Sequence, residues 1–300
     1  MYQIDSRNVI RVMSYKNKPV LRAKPGQQIE MITRNCFGDQ PLKKGDGPLQ
    51  YDPDIAGNPA TGPIFVEGAK VGDVLKIHIL KIQPISNAVM GMGTDMGVFA
   101  DESETECTRI FSIKEDETHF YHYRIKNKPM LGVIGVAPPP PFEIDTVTPG
   151  DHGGNMDCNR IVAGSTVYLP VFVEGGLLAI GDVHSVMGDG EVSSGGAEVA
   201  AKVKIQIDIL QDEDINCPIV VSEGDVMLLA SRETIDEAAR QAVKKTKDFL
   251  MKKLRIPHHE ACMLLSLKGN VRICQMVDPL MTCRMEVPLE VFRAYGYEWE

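Results

Sequence analysis

Two periodicities divide the chain. Up to about residue 225 apolar residues recur at every second position in short runs broken by Gly, Pro and Asp, and from about residue 231 they recur at every third or fourth. In residues 199–209 every odd position is apolar and the even positions from Lys202 onward are polar, the alternation of a half-buried strand. Residues 75–79 alternate in the same way after the Val71-Gly72-Asp73 turn, residues 28–33 form a weaker third case, and residues 177–184 have a strand composition. Repeated short strands with turn signals between them predict a mainly β fold, a β-sandwich of jelly-roll-like form.

Thr234-Ile235-Asp236-Glu237 matches a capping box, in which the Thr hydroxyl serves the third helical N–H and the Glu reaches back to the cap. Ile235, Ala238, Ala239, Ala242, Val243, Phe249, Leu250 and Leu254 then form one apolar stripe, which predicts a helix near 234–254. Pro257 stops it, and His258-His259-Glu260 opens another; adjacent histidines at a helix start point to different sides, so they suit a capped, exposed end better than a chelate. Residues 271–276 and 282–287 return to strand-like runs. The expected organisation is a β-sandwich body over 1–228, carrying the site segments, with an appended α+β portion over 229–300. The Gly-Asp-Val triplets at 72–74, 181–183 and 224–226 read as tight strand entries.

Composition narrows the function classes. The chain has 300 residues, 43% hydrophobic and 24% charged, with a formal net charge of −9, so it offers nucleic acid no basic field. Its densest basic run, Lys244-Lys245-Thr246-Lys247 with Lys252-Lys253, lies within the helical pattern and reads as a solvated face. No apolar stretch approaches the roughly 20 residues that span a bilayer, and the start MYQIDSRNVI lacks a signal-peptide layout, so a cytoplasmic location is expected. The cysteines at 36, 107, 158, 217, 262, 274 and 283 include no C-x-x-C pair, which favours reduced thiols. The acidic stretch 101–106 suits a solvated loop or a surface cation such as calcium.

The candidate chemistry sits in two segments, residues 148–157 and 181–191, where His152 and His184 stand among carboxylates and glycines. Asp182 and His184 are two apart, so on a strand both side chains face one way. Asp151, His152 and Asp157 lie on a loop made pliable by Gly150, Gly153 and Gly154. Together they supply nitrogen and oxygen ligands of the kind zinc takes. Glu191, after Gly188-Asp189-Gly190, is placed to present a carboxylate as general acid or base. Cys158 is a rival nucleophile beside these histidines, or a small core residue. His78 reads as a surface residue on a strand's polar face. His119 and His122, three apart among aromatics, stay outside the site.

The runs 58–69, 131–138, 153–157, 169–177 and 181–191 resemble, in order, the acetamidase/formamidase family. The resemblance covers roughly residues 20 to 210 and implies hydrolysis of a small primary amide to a carboxylate and ammonia, by a β-sandwich protein with an added α+β part, as a homo-oligomer. It also implies a divalent metal, zinc being expected and calcium a structural alternative. Carried over by position, His152, Asn155, Asp157, Asp182, His184 and Glu191 match the family's site segments. Asn35 stands where the family often has Asp, and Met187 where many members have Gln, so the preferred amide is open.

The leading expectation is a cation held by His152, Asp157, Asp182 and His184 that polarises the carbonyl and acidifies a water, with Glu191 and Asp189 as catalytic carboxylates and Asn155 as a donor to the oxyanion. The alternatives are a thiol amidase using Cys158 and a non-catalytic small-amide or metal-binding protein.

Overall fold

The computed structural model describes residues 2–299 apart from residues 43, 47–49, 53, 103 and 212. Strands dominate, as the period of two predicts. Among the described residues they form one nine-stranded and one ten-stranded sheet with smaller ribbons beside them. Residues 28–33 lie in Gln27–Thr33, 75–79 in Val74–Pro84 and 201–209 in Ala201–Leu210, and these three pair side by side in the nine-stranded sheet. The ten-stranded sheet is built around Leu178–His184, whose neighbours are Met130–Gly135, Ala60–Val66 and Glu198–Val199. One apolar core joins the sheets: Ile29, Leu75, Ile77 and Val203 of the first pack with Ile64, Leu131, Ile134 and Ile180 of the second.

Helix α1, Ile235–Leu254, starts where the capping box places it, with Thr234 Oγ1 accepting the N–H of Glu237 at 3.2 Å. Helix α2, His258–Lys268, follows. Both pack on the far end of the nine-stranded sheet, where the strands Asp225–Arg232, Met281–Pro288 and Asn270–Gln275 lie in sequence. The expected division at 228/229 falls inside the strand Asp225–Arg232, and the sheet runs across it. No helix among the described residues is long and apolar enough to cross a membrane, and the seven cysteines are free thiols.

One turn expectation is corrected. Gly72 and Gly224 do turn the chain into strands, with φ of 94° and 88°, but 181–183 lies within Leu178–His184. Gly181 is needed there for close approach: a Cβ would lie 2.6 Å from the carbonyl oxygen of Pro59, the residue ahead of the neighbouring strand Ala60–Val66.

Candidate active site

The strand Leu178–His184 is buried along its whole length and carries Asp182 and His184 into the site. Antiparallel register sets Glu198 opposite His184. Asn155 ends the strand Gly153–Asn155, Asp157 follows it, and Glu191 comes from the next loop. The result is an imidazole ringed by carboxylates: His184 Nε2 lies 3.0 Å from Glu198, 3.4 Å from Asp182, 3.8 Å from Asp157 and 4.0 Å from Glu191. Asp278 completes the ring, accepting the Asn155 Nδ2 donor at 2.9 Å. The cluster opens on a cavity of about 200 Å³ lined by Asn155, Asp182, Glu191, Glu198, Asp278 and Cys36, among others.

Backbone geometry makes this crowding possible. Asp157, Asp182 and Glu191 hold φ of 44°, 52° and 47°, in the left-handed region, which Asp tolerates better than most residues and Glu seldom adopts. Such strain persists where the surrounding fold imposes it, and it gathers at functional sites. Gly132 leaves the space for two of the carboxylates, since a Cβ there would lie 2.4 Å from both Asp157 Oδ1 and Asp182 Oδ2.

Concentrating carboxylates away from water disfavours their charge. Burial, reinforced by Asp182 and opposed by His184, raises Asp157 to about 7. Burial likewise carries Glu198 to about 8 against the pull of His184. It holds Glu191 and Asp278 well above the usual carboxylate range, with Asp157 adding repulsion to each. Burial opposes the charged form of His184, yet Glu198 and Asp182 together hold that imidazole well above its ordinary value.

Of the residues expected from sequence, Asn155, Asp157, Asp182, His184 and Glu191 come together, and two do not. His152 folds back over its own turn: a Cβ on Gly150 would meet its Nδ1 at 2.9 Å and one on Gly154 its Nε2 at 3.0 Å. It is outside both groups of metal-capable donors found among the described residues, Asp157-His184-Glu191 and Cys36-Asp182-Glu198. Burial lowers its pKa to about 4, so it is a neutral interior histidine. Its neighbour Asp151 is taken up by Lys245 of α1 at 2.8 Å. Asp189 is held in a two-pronged ion pair by Arg284, at 2.8 and 2.9 Å, which turns it away from the cluster.

Cys158 is fully buried in the apolar core, its thiol against Cys274. His78 bonds Thr166 Oγ1 at 3.1 Å on its strand, and His119 belongs to a separate hairpin, where it pairs with Arg124. Glu198, Asp278 and Cys36 were missed from sequence. Glu198 had a usable signal, because Gly195-Gly196 precedes it just as glycines flank the other site segments.

The Acetamidase/Formamidase family model matches residues 16–144 and 142–294. A solved acetamidase from Bacillus halodurans superposes with a TM-score of 0.95 at 37% identity, over 98% of this chain and 99% of that one. A solved predicted acetamidase/formamidase from Thermoanaerobacter tengcongensis gives 0.92 at 38% identity, over 99% of both chains. Among curated proteins, a formamidase of Methylophilus methylotrophus is 46% identical over 68 residues, 22% of this chain and 17% of that protein. A putative formamidase of Schizosaccharomyces pombe is 27% identical over 211 residues, 51% of this chain and 52% of that protein. The chain thus matches about half or less of the length of these curated relatives. With the family model matched in two segments along nearly the whole chain, the chain belongs to the acetamidase/formamidase family.

Proposed function

We propose that this cluster hydrolyses the amide bond of a small primary amide, with water, to a carboxylate and ammonia. The observation that carries the proposal is His184 buried among Asp157, Asp182, Glu191 and Glu198 at the end of a cavity of small-molecule size.

The donor set fits a divalent cation. Asp157 Oδ1 and Oδ2, Asp182 Oδ1 and Glu198 Oε2 are buried without hydrogen-bond partners, a costly arrangement that a cation would relieve. Asp157, Asp182, His184 and Glu198 would hold it, and one nitrogen with carboxylate oxygens suits zinc. When bound, such an ion polarises a carbonyl and brings the pKa of a water to near 7. His152, whose Nε2 is also buried without a hydrogen-bond partner, stands outside both groups of close-set donors.

The remaining roles belong to the chain's own groups. Glu191 lines the cavity, and burial together with Asp157 raises its proton affinity well above that of an ordinary carboxylate, which suits it to take up and pass on a proton. It moves a proton from the attacking water to the leaving nitrogen. Asn155 gives its Nδ2 donor to Asp278, which leaves Oδ1 as a buried acceptor for a substrate N–H. The second N–H of Nδ2 stays available for the oxyanion role expected from sequence.

Glu191→Gln tests the reading, because the amide keeps the shape of the side chain but takes up no proton. The expected result is a folded protein that still binds substrate, with turnover lowered about 10²- to 10⁴-fold. A near-wild-type rate removes Glu191 from the mechanism, and wild-type protein that binds amides without releasing ammonia is a binder, not a hydrolase.

A further inference from the structure

A second cavity, of about 370 Å³, adjoins the first and differs from it in chemistry. Met90, Phe111, Phe120, Ile125, Val186 and Met187 supply its apolar wall. Glu191 is the residue shared by the linings of both cavities, so the two spaces meet at the residue placed to handle the proton. Gly196 also lines the apolar cavity and packs against His184, where a Cβ would lie 2.5 Å from Nδ1 and 2.6 Å from Cγ. The floor of the apolar space is therefore one backbone away from the imidazole of the cluster.

The opposite wall is built and tied down. Ile113–Lys114, Glu117–Phe120 and Tyr123–Lys126 form a three-stranded ribbon that contributes Thr118, Phe120 and Ile125. Buried Thr118 donates to Asn127 Oδ1 at 2.7 Å and meets Ser185 Oγ at 3.0 Å. Ser185 directly follows His184, so the ribbon is fastened to the strand that carries the imidazole. Formamide has no acyl carbon chain and acetamide a single methyl, so neither would occupy an apolar space of this size. Pockets of a few hundred Å³ with one convergent polar group take larger organic ligands.

We propose that this cavity receives the acyl chain of the substrate, so that the favoured substrates are primary amides with an apolar acyl group of about four or more carbons. The proposal rests on the reading of the adjoining cluster as an amide-hydrolysing site. The amide group lies at Glu191 and Asn155, and the chain runs past Glu191 between Met187 and the ribbon.

The test measures kcat/KM for formamide, acetamide, butyramide and hexanamide with wild type, Ile125→Trp and Met187→Trp. The tryptophans enter the cavity from two of its walls, Ile125 on the ribbon and Met187 on the segment after His184. Wild type is expected to gain about four-fold per methylene buried. Both variants, shown to be folded by circular dichroism and a cooperative thermal melt, should lose that gain. A flat or falling series from acetamide to hexanamide overturns the proposal, as does a gain that survives both tryptophans.

Hexanamide binding by titration calorimetry separates this proposal from the reading beneath it. If wild type releases ammonia from no amide, the hydrolytic reading fails. The cavity assignment then stands if hexanamide binds wild type but not the variants, and falls if wild type does not bind it.

Discussion

Gln275 holds Asp278 in the site. Its buried Oε1 accepts the N–H groups of Val277 at 3.0 Å and Asp278 at 3.1 Å, while Nε2 donates to the Leu280 carbonyl at 2.6 Å and Thr282 Oγ1 at 3.2 Å. Its backbone also bridges to Gly190, the residue before Glu191. One side chain of the C-terminal portion therefore shapes the loop that delivers Asp278, and its strand supports the loop that delivers Glu191.

Gln275→Ala removes this support without touching the cavity. The expected result is a folded protein less stable by about 1–3 kcal/mol, with kcat lowered about 10- to 100-fold and KM changed less. Steady-state kinetics beside a denaturant titration check it, and an unchanged kcat contradicts the positioning role.

Cys158→Ser separates metal-assisted from thiol chemistry. Cys158 is fully buried; Cys274 and Arg284 draw its thiol pKa down against burial, but the surrounding contacts are core packing. A serine hydroxyl there should cost about 1–3 kcal/mol of stability and leave turnover per folded molecule intact. Ammonia release by this variant, with and without a chelator, reads the outcome; a folded but inactive variant beside a chelator-resistant wild type reverses the assignment.

The raised carboxyls fix the sign of a pH effect on the cation-free protein. Asp157 moves from 3.8 to about 7 and Glu198 from 4.5 to about 8, with Glu191 and Asp278 shifted the same way. The folded state keeps protons that the unfolded chain releases, so stability falls as pH rises from about 4 towards 8. Raised His184 adds to the fall above 6.5, whereas His152, lowered to about 4, opposes it between pH 4 and 6.5. Chelator-treated protein should melt at a lower temperature at pH 8 than at pH 5, and zinc should raise Tm more at pH 8, where its ligands bind fewer protons. A higher Tm at pH 8 without metal contradicts the charge account.

Local signals were legible in the sequence. The alternation ending at Ile209 and the capping box at Thr234 specify a strand and a helix start through neighbours in the chain. Partnerships set by register and by distant loops were not. Glu198 looked like a residue ahead of a strand until antiparallel pairing set it against His184. Asp278 reaches Asn155 from 123 residues away. His152 and Asp189 share the glycine-rich composition of the true cluster, and only the fold shows one ring turned back on its own loop and the other carboxylate committed to Arg284.

The central claim, that His184 and its carboxylates form a cation-dependent amide-hydrolysing site, is tested most directly by measuring bound divalent metal and ammonia release together in wild type and His184→Ala. The account predicts wild-type protein that carries metal and releases ammonia, loses both on chelation and regains both with zinc, and a folded His184→Ala protein that has lost both. Wild-type metal content and turnover in His184→Ala, or full turnover by metal-free wild type, would contradict it.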